Sequence, residues 1–431
     1  MACFVRRMTT MTEKLYWSDP FATTFEAEGL TLSAFEGRPS VVLAKTLFYP
    51  EGGGQLGDAG TIVVGGVNLA VADTQVDDAG VIHHVLAEAP VPELEELARG
   101  AATAVRGTID DRRRRDHMAI HTAQHALSRA VADEASATTV SSRLGASICT
   151  IDVSRPSLAD ADLARAEDLV NAVVMNDVPV HAQFPTPEEL ASMDLRKQPN
   201  MAKAAAGVRV ITIEGFDITP CGGTHCTRTG QIGQVRIVGT EKYKGMLRIS
   251  FHAGRRALVD ARARHDVLST LASSLTCGVF DVPQAVTKLR TDLKGLRTEL
   301  DAARAELAAL FAKEILSTVP TGTPHVIAVA RPADDLASLR TLAGKLAESP
   351  DLVVIVTGTD AASGDLVLVV QRGGSSKFDC GAFVQSQAKA QGGRGGGRPE
   401  RAEGRFPSAT SLDALASAAK LALADSATQL R

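Results

Sequence analysis

Two short stretches constrain this chain more than any others: His121-Thr122-Ala123-Gln124-His125 and Cys221-Gly222-Gly223-Thr224-His225. Each holds two soft-metal ligands four residues apart. In a helix, positions i and i+4 lie on one face, so His121 and His125 can address one ion. The second pair stands among glycines and reads as a tight loop that brings Cys221 and His225 together by turning. Three imidazoles and one thiolate form the tetrahedral N/S set that zinc prefers. A fold of this chain must therefore bring a helix and a distant glycine loop to one point.

The chain has 431 residues, more than one ordinary core holds, so two to four domains are expected. A hydrophobic fraction of 45% with 22% charged residues is that of a soluble globular protein. The net charge of −4 excludes a histone-like polyanion binder, and contact with nucleic acid must use local patches. The cysteines, Cys3, Cys149, Cys221, Cys226, Cys277 and Cys380, are scattered without a CxxC pair, which reads as reduced thiols in a cytoplasmic protein. No secretory signal opens the sequence and no stretch is apolar enough to span a membrane. A presequence, or a start at Met8 or Met11, is left open.

Residues 12–108 read as a small β-barrel domain after an N-terminal extension, 1–11. Ser40–Ala44, Thr61–Val64 and Val67–Val71 are short apolar runs broken by Gly and Asp, with Gly65-Gly66 as a hairpin turn. This domain contains Tyr49-Pro50-Glu51-Gly52-Gly53-Gly54-Gln55, whose glycines let backbone approach a ligand; a flexible hairpin tip is the plain alternative. Residues 109–254 alternate helix and strand, an α+β core with a mostly antiparallel sheet. Residues 255–318 are helical. Val286, Leu289, Leu293, Leu296, Leu300, Ala303, Leu307 and Leu310 form a heptad seam, for which an antiparallel helical hairpin is the first choice and a dimerising coiled coil the rival. Residues 319–431 read as an α/β domain. It contains Gln391-Gly392-Gly393-Arg394-Gly395-Gly396-Gly397-Arg398, followed by Arg401 and Arg405: a phosphate-binding surface or a glycine linker.

A zinc peptidase needs Glu directly after the first histidine, and that position is Thr122. Roughly a hundred residues between the pairs also argue against a zinc finger. A hydrolase whose metal orients substrate or water remains. Asp217, four residues before Cys221, is a candidate to orient a ligand histidine, or a loop residue satisfying backbone amides. His117, one turn before His121, lies near the site but outside the ligand set. Cys226 reads as structural, and His83 and His84 point to opposite faces of one strand.

The His-Thr-Ala-Gln-His, Cys-Gly-Gly-Thr-His and Tyr-Pro-Glu-Gly-Gly-Gly-Gln stretches together resemble the editing domain of alanyl-tRNA synthetase, and more closely the free-standing long AlaX proteins. The resemblance runs from about Thr12 to the C-terminus, which it identifies as a DHH-associated domain. It implies one zinc per chain, held by His121, His125, Cys221 and His225. It places Gln55 and the glycines before it, Gly52, Gly53 and Gly54, at the substrate pocket; Thr122 is expected to meet substrate too, and Gln55 and Asp217 are the expected catalytic residues. It implies hydrolysis of misacylated tRNA(Ala), chiefly Ser-tRNA(Ala) with Gly-tRNA(Ala) left open. Because the synthetase's ATP-binding domain has no counterpart in the sequence, deacylation without aminoacylation is expected. Arg394, Arg398 and Arg401 are expected to contact tRNA, and a homodimer through the helical or C-terminal region is allowed. The rivals are a metal-independent editing hydrolase of threonyl type and a non-catalytic tRNA-binding or assembly protein.

Overall fold

The computed structural model describes residues 11–88, 92–99, 103–199, 207–320 and 325–428. Apart from Met11, the expected N-terminal extension, with Cys3 and Met8, lies outside them. The chain is a multidomain α+β protein that divides into two compact units, Met1–Thr270 and Leu271–Arg431.

The first unit opens with strands β1 (Thr24–Glu28), β2 (Leu30–Phe35), β3 (Arg38–Leu43), β4 (Gly60–Val64), β5 (Val67–Val76) and β6 (Ile82–Leu86), helix α1 (Pro92–Arg99) and strand β7 (Ala104–Ile109). The strands form one seven-stranded sheet in the order β1-β7-β4-β5-β6-β3-β2, antiparallel throughout. Alternation is plain in β1, where Phe25 and Ala27 are buried and their neighbours are exposed. Gly65 and Gly66 both take positive φ and make the expected tight turn between β4 and β5. No ladder joins β1 to β2 among the described residues, so strand pairing does not close the sheet into the expected barrel. A single residue, Gly29, nevertheless links these two end strands. The region is also not all-β: α1 interrupts it, with Pro92 at its start and Leu94 fully buried in the sheet's core.

Helix α2 (Asp111–Ala135) follows directly. Asp110 caps it by accepting the Arg113 amide at 3.0 Å. Its middle is buried on nearly all sides, and Ala119, Ala123, Ala126 and Ala130 allow that close approach. The Arg114 guanidinium ties its first turn to Asp58, both side chains being 1% exposed, and also donates to Pro20 O. Then come β8 (Thr139–Leu144), β9 (Cys149–Val153), α3 (Asp160–Met175), β10 (Val180–Gln183), α4 (Pro187–Ser192), β11 (Val210–Ile213), β12 (Asp217–Pro220), β13 (Val235–Tyr243) and β14 (Met246–Ala253). Strands β8-β9-β14-β13 form one antiparallel sheet and β10-β11-β12 another. Ala123, Leu127 and Val131 of α2 share a core with Ile151, Ile249 and Val170 of the sheet and α3. Helix α5 (Gly254–Ser274) ends the unit and runs into the next.

The second unit holds α6 (Val282–Ser317), β15 (His325–Ala330), α7 (Leu336–Leu346), β16 (Leu352–Thr359), β17 (Leu366–Arg372), α8 (Cys380–Gln391), β18 (Arg394–Gly397), β19 (Arg401–Phe406) and α9 (Leu412–Thr428). The sheet order is β15-β16-β17-β19-β18, with only β15 and β16 parallel. Two expectations change here. The α6 seam is not packed: Leu289, Leu293, Leu296 and Leu310 are 58–67% exposed, and only Ala308 and Ala312 of its lower half are buried. The Arg-Gly stretch is no linker but β18, the sheet's edge strand. Two of its glycines are required, since a Cβ at Gly395 would lie 2.5 Å from Glu403 O and one at Gly397 2.4 Å from Arg401 O. No helix among the described residues is long and apolar enough to cross a membrane.

Candidate metal centre

Helix α2 presents His121 and His125 on one face, and the turn after β12 brings Cys221 and His225 to them. One ligand atom from each residue lies within 4.8 Å of every other. The His121–His225 and His125–His225 ring centroids are 4.4 and 4.6 Å apart. Such close approach leaves no room on the loop: a Cβ at Gly223 would sit 2.2 Å from His121 Cε1. The loop is anchored from beneath by the buried Arg209, which donates to Cys221 O (3.0 Å) and Gly223 O (2.8 Å). Trp17 Nε1 holds it from above, donating to Gly222 O at 2.9 Å.

Each histidine has its other nitrogen addressed by a separate residue. Gln55 Oε1 lies 2.7 Å from His121 Nδ1, and it also accepts the Thr224 amide at 3.2 Å. A carbonyl oxygen only accepts, so Nδ1 carries the proton and the Nε2 lone pair is free. Thr122 Oγ1 donates to Met118 O (2.8 Å) and lies 3.2 Å from His225 Nδ1. Having spent its proton, it accepts from Nδ1, and the His225 Nε2 lone pair is likewise free. Asp217 Oδ2 stands 3.7 Å from His125 Nδ1, long for a hydrogen bond but close for charge. The free Nε2 atoms of His121 and His225 then face Cys221 Sγ at 3.4 and 3.3 Å. Lone pairs converging on sulfur repel unless a cation lies among them, so this donor set fits a metal ion.

Electrostatics agree. The same need for positive charge at the sulfur shows in Cys221: burial alone would raise its thiol, but charge carried by the imidazoles outweighs burial and holds it well below the ordinary thiol range. Burial would also raise Asp217, yet His125 and Arg196 bring it down to about 2. The Arg196 Nε–Asp217 Oδ1 distance is 2.7 Å.

A cavity of about 410 Å³ opens onto the cluster, and His121, His125 and Cys221 line it together with Gly52, Gly53 and Ser142. The expected substrate residues thus separate. Gly52 and Gly53 line the cavity. Gly54 does not; its Cβ position lies 2.7 Å from Ser142 O, so the glycine serves close packing on β8. Gln55 and Thr122 are fully buried behind the ligands and hold histidines rather than facing the cavity. Asp217 begins a strand instead of a loop. Arg394, Arg398 and Arg401 are exposed in the second unit. Sequence reasoning missed Arg209, which stands in no motif, and Trp17, whose one signal is that it is the chain's single tryptophan.

Three family descriptions match the chain in order: tRNA synthetases class II (A) over residues 10–113, the threonyl and alanyl tRNA synthetase second additional domain over 208–250, and the DHHA1 domain over 323–425. The second of these spans Cys221 and His225. The alanine–tRNA ligase of Methanothrix thermoacetophila is 33% identical over 96% of this chain and 45% of its own length. That of Pyrococcus furiosus is 31% identical over 92% and 42%. The chain therefore spans less than half the length of these relatives. Among solved structures, the C-Ala domain from Aquifex aeolicus alanyl-tRNA synthetase matches 23% of this chain and 88% of that one, at 20% identity and a TM-score of 0.21, too low to speak for the fold. The chain is therefore related to the alanyl-tRNA synthetases along nearly its whole length, which is consistent with an AlaX-like protein.

Proposed function

We propose that this chain is a cytoplasmic hydrolase that removes serine from misacylated tRNA(Ala), without aminoacylating, with Gly-tRNA(Ala) as a second substrate. The observation that carries this reading is the donor set itself: two imidazole lone pairs and a depressed thiol converge at the floor of a cavity bordered by bare glycine backbone. One zinc, held by His121, His125, Cys221 and His225, would supply positive charge beside the scissile ester or the substrate amine.

The chain's own residues do the rest. Gln55 and Thr122 fix the tautomers of two ligands, and Asp217 draws His125 into place. Gly52 and Gly53 leave room for the terminal ribose. Thr139, Ser141 and Ser142 line the cavity. The Thr139 and Ser141 hydroxyls donate to Ser128 and Asp152, so toward substrate they would act as acceptors for a seryl hydroxyl, which an alanyl methyl cannot replace. The proposed division is a β-sheet domain at 12–108, an editing core at 109–254, a helical region at 255–318 and a C-terminal domain at 319–431. Arg394, Arg398 and Arg401 on the edge hairpin would meet the RNA backbone, and the exposed α6 seam would join two copies.

Purified protein, zinc-loaded and without ATP, should deacylate Ser-tRNA(Ala) much faster than Ala-tRNA(Ala). Equal rates on both would rule out proofreading, because correct product would be destroyed.

A further inference from the structure

A second cavity, of about 370 Å³, lies at the N-terminal end of α2. Leu56, Arg112, Arg113, Asp116, His117 and Arg256 line it, with Asp110 and Ala146. Three guanidiniums face two carboxylates there, and Asp110 is already occupied as the helix cap. The two inner arginines are pinned by backbone: Arg113 Nε donates to Gly57 O at 2.9 Å, and Arg256 Nη1 to Gly145 O at 2.6 Å. Arg256 Nη1 also stands 3.6 Å from Cys149 Sγ. Arg112 is exposed and makes no hydrogen bond or ion pair among the described residues.

His117 is the unexplained member. It is 5% exposed, and its Nδ1 is buried with no hydrogen-bond partner. An unpaired buried polar atom costs free energy, and native structures seldom carry one without a use. Burial, then Arg113 and Arg256, push the imidazole down to about 3, so it is a neutral group beside three cations. Free backbone amides at the helix start add further positive potential.

We propose that this cavity is an anion site that receives a phosphodiester of the RNA strand whose esterified end enters the metal-cluster cavity. The proposal rests on the hydrolase reading above. Position supports it in two ways. Gly52 and Gly53 line the first cavity and Leu56 the second, so the glycine loop lies between the two. His117 precedes His121 by one turn of the same helix, about 6 Å of rise. A strand that delivers its terminal ribose to the cluster therefore needs only a short step to bring a phosphate to Arg112. The three arginines are matched to that charge: guanidinium takes phosphate oxygens through two parallel N–H donors.

The test compares two substrates on the full-length zinc-loaded protein: the seryl ester of adenosine, which has no phosphodiester, and the seryl ester of a CCA trinucleotide. In Arg112→Gln, the KM for the trinucleotide ester should rise relative to that for the adenosine ester by about threefold to tenfold, as expected for one lost charge-assisted contact. Arg112→Lys, which keeps the charge, should recover part of it. An unchanged KM ratio overturns the anion site, whether both constants move together or neither moves. If wild-type protein hydrolyses neither ester, the hydrolase reading fails first. The site is then judged by titrating inorganic phosphate against the His117 ring signals in NMR. A saturable shift that Arg112→Gln abolishes supports an anion site, and no shift overturns it.

Discussion

Gln55 Oε1 accepts the Nδ1 proton of His121 at 2.7 Å, 66 positions along the chain. The glutamine thus belongs to the seven-stranded sheet's glycine loop but acts on a ligand of α2. Gln55→Ala would leave that N–H buried and unpaired and would free the ring to rotate. Metal affinity should fall by roughly 10- to 100-fold, the usual effect of losing a partner behind a ligand. Competition with a chromophoric chelator measures it, and wild-type affinity in the variant would show that His121 needs no such partner.

Neighbouring glycines give a sharper contrast. At Gly223 a methyl group would collide with the His121 ring, whereas at Gly222 nothing lies within 4 Å. Gly223→Ala should lose metal and activity together, while Gly222→Ala should fold and bind metal like the parent. Metal content by mass spectrometry separates them. Two variants of equal content would mean that the loop shifts freely, against the anchoring by Arg209 and Trp17.

Acid should weaken the first unit through His84. The ring is fully buried; its Nδ1 lies 2.9 Å from Val41 O and its Nε2 2.8 Å from Thr46 Oγ1. Burial pulls it down to about 4 from an ordinary 6.5. The unfolded chain therefore binds this proton more readily. The stabilisation is complete above about pH 6.5 and declines as pH falls toward 4, by about 3 kcal/mol in all. Urea midpoints at several pH values should show the decline, and His84→Gln should flatten it; a parallel slope in that variant would place the acid sensitivity elsewhere.

On the second unit, replacing Arg394, Arg398 and Arg401 with Ala should raise KM for charged tRNA and reduce the salt dependence of binding, since each lost phosphate contact lowers counterion release. Zinc content should not change. Deacylation kinetics at several salt concentrations decide it, and a triple variant indistinguishable from wild type would remove this hairpin from the RNA surface.

The clustering of His121, His125, Cys221 and His225 was legible because its chemistry is written in residue types at fixed spacing, and both halves of the spacing correspond to a local geometry: one helical face, one glycine turn. The roles of Gln55 and Thr122 were not. Both stand inside recognisable motifs, but whether such a side chain faces a substrate or a ligand depends on packing between segments far apart in sequence. The α6 leucines show the converse. Their heptad period is a true property of the helix, yet periodicity states that a face is apolar and not what covers it. The glycine-rich β18 left a linker open beside a phosphate-binding surface because glycine has low strand propensity; Glu403 and Val384, which press against Gly395, explain why that position accepts no side chain.

The hundred positions between His121 and Cys221 also set an order in time. A ribosome adds about 5–20 residues per second, so the two halves of the cluster are born roughly 5–20 s apart. Throughout that interval the nascent chain offers a pair of imidazoles on a helix whose covering sheet is unfinished. A two-histidine site holds a metal ion weakly, so the proposed ion would be captured firmly only once β12 and its turn have been made and docked. For the ion proposed here, loading would therefore be a late event in the life of each molecule, and a cell short of that metal would accumulate finished chains whose cluster had never locked.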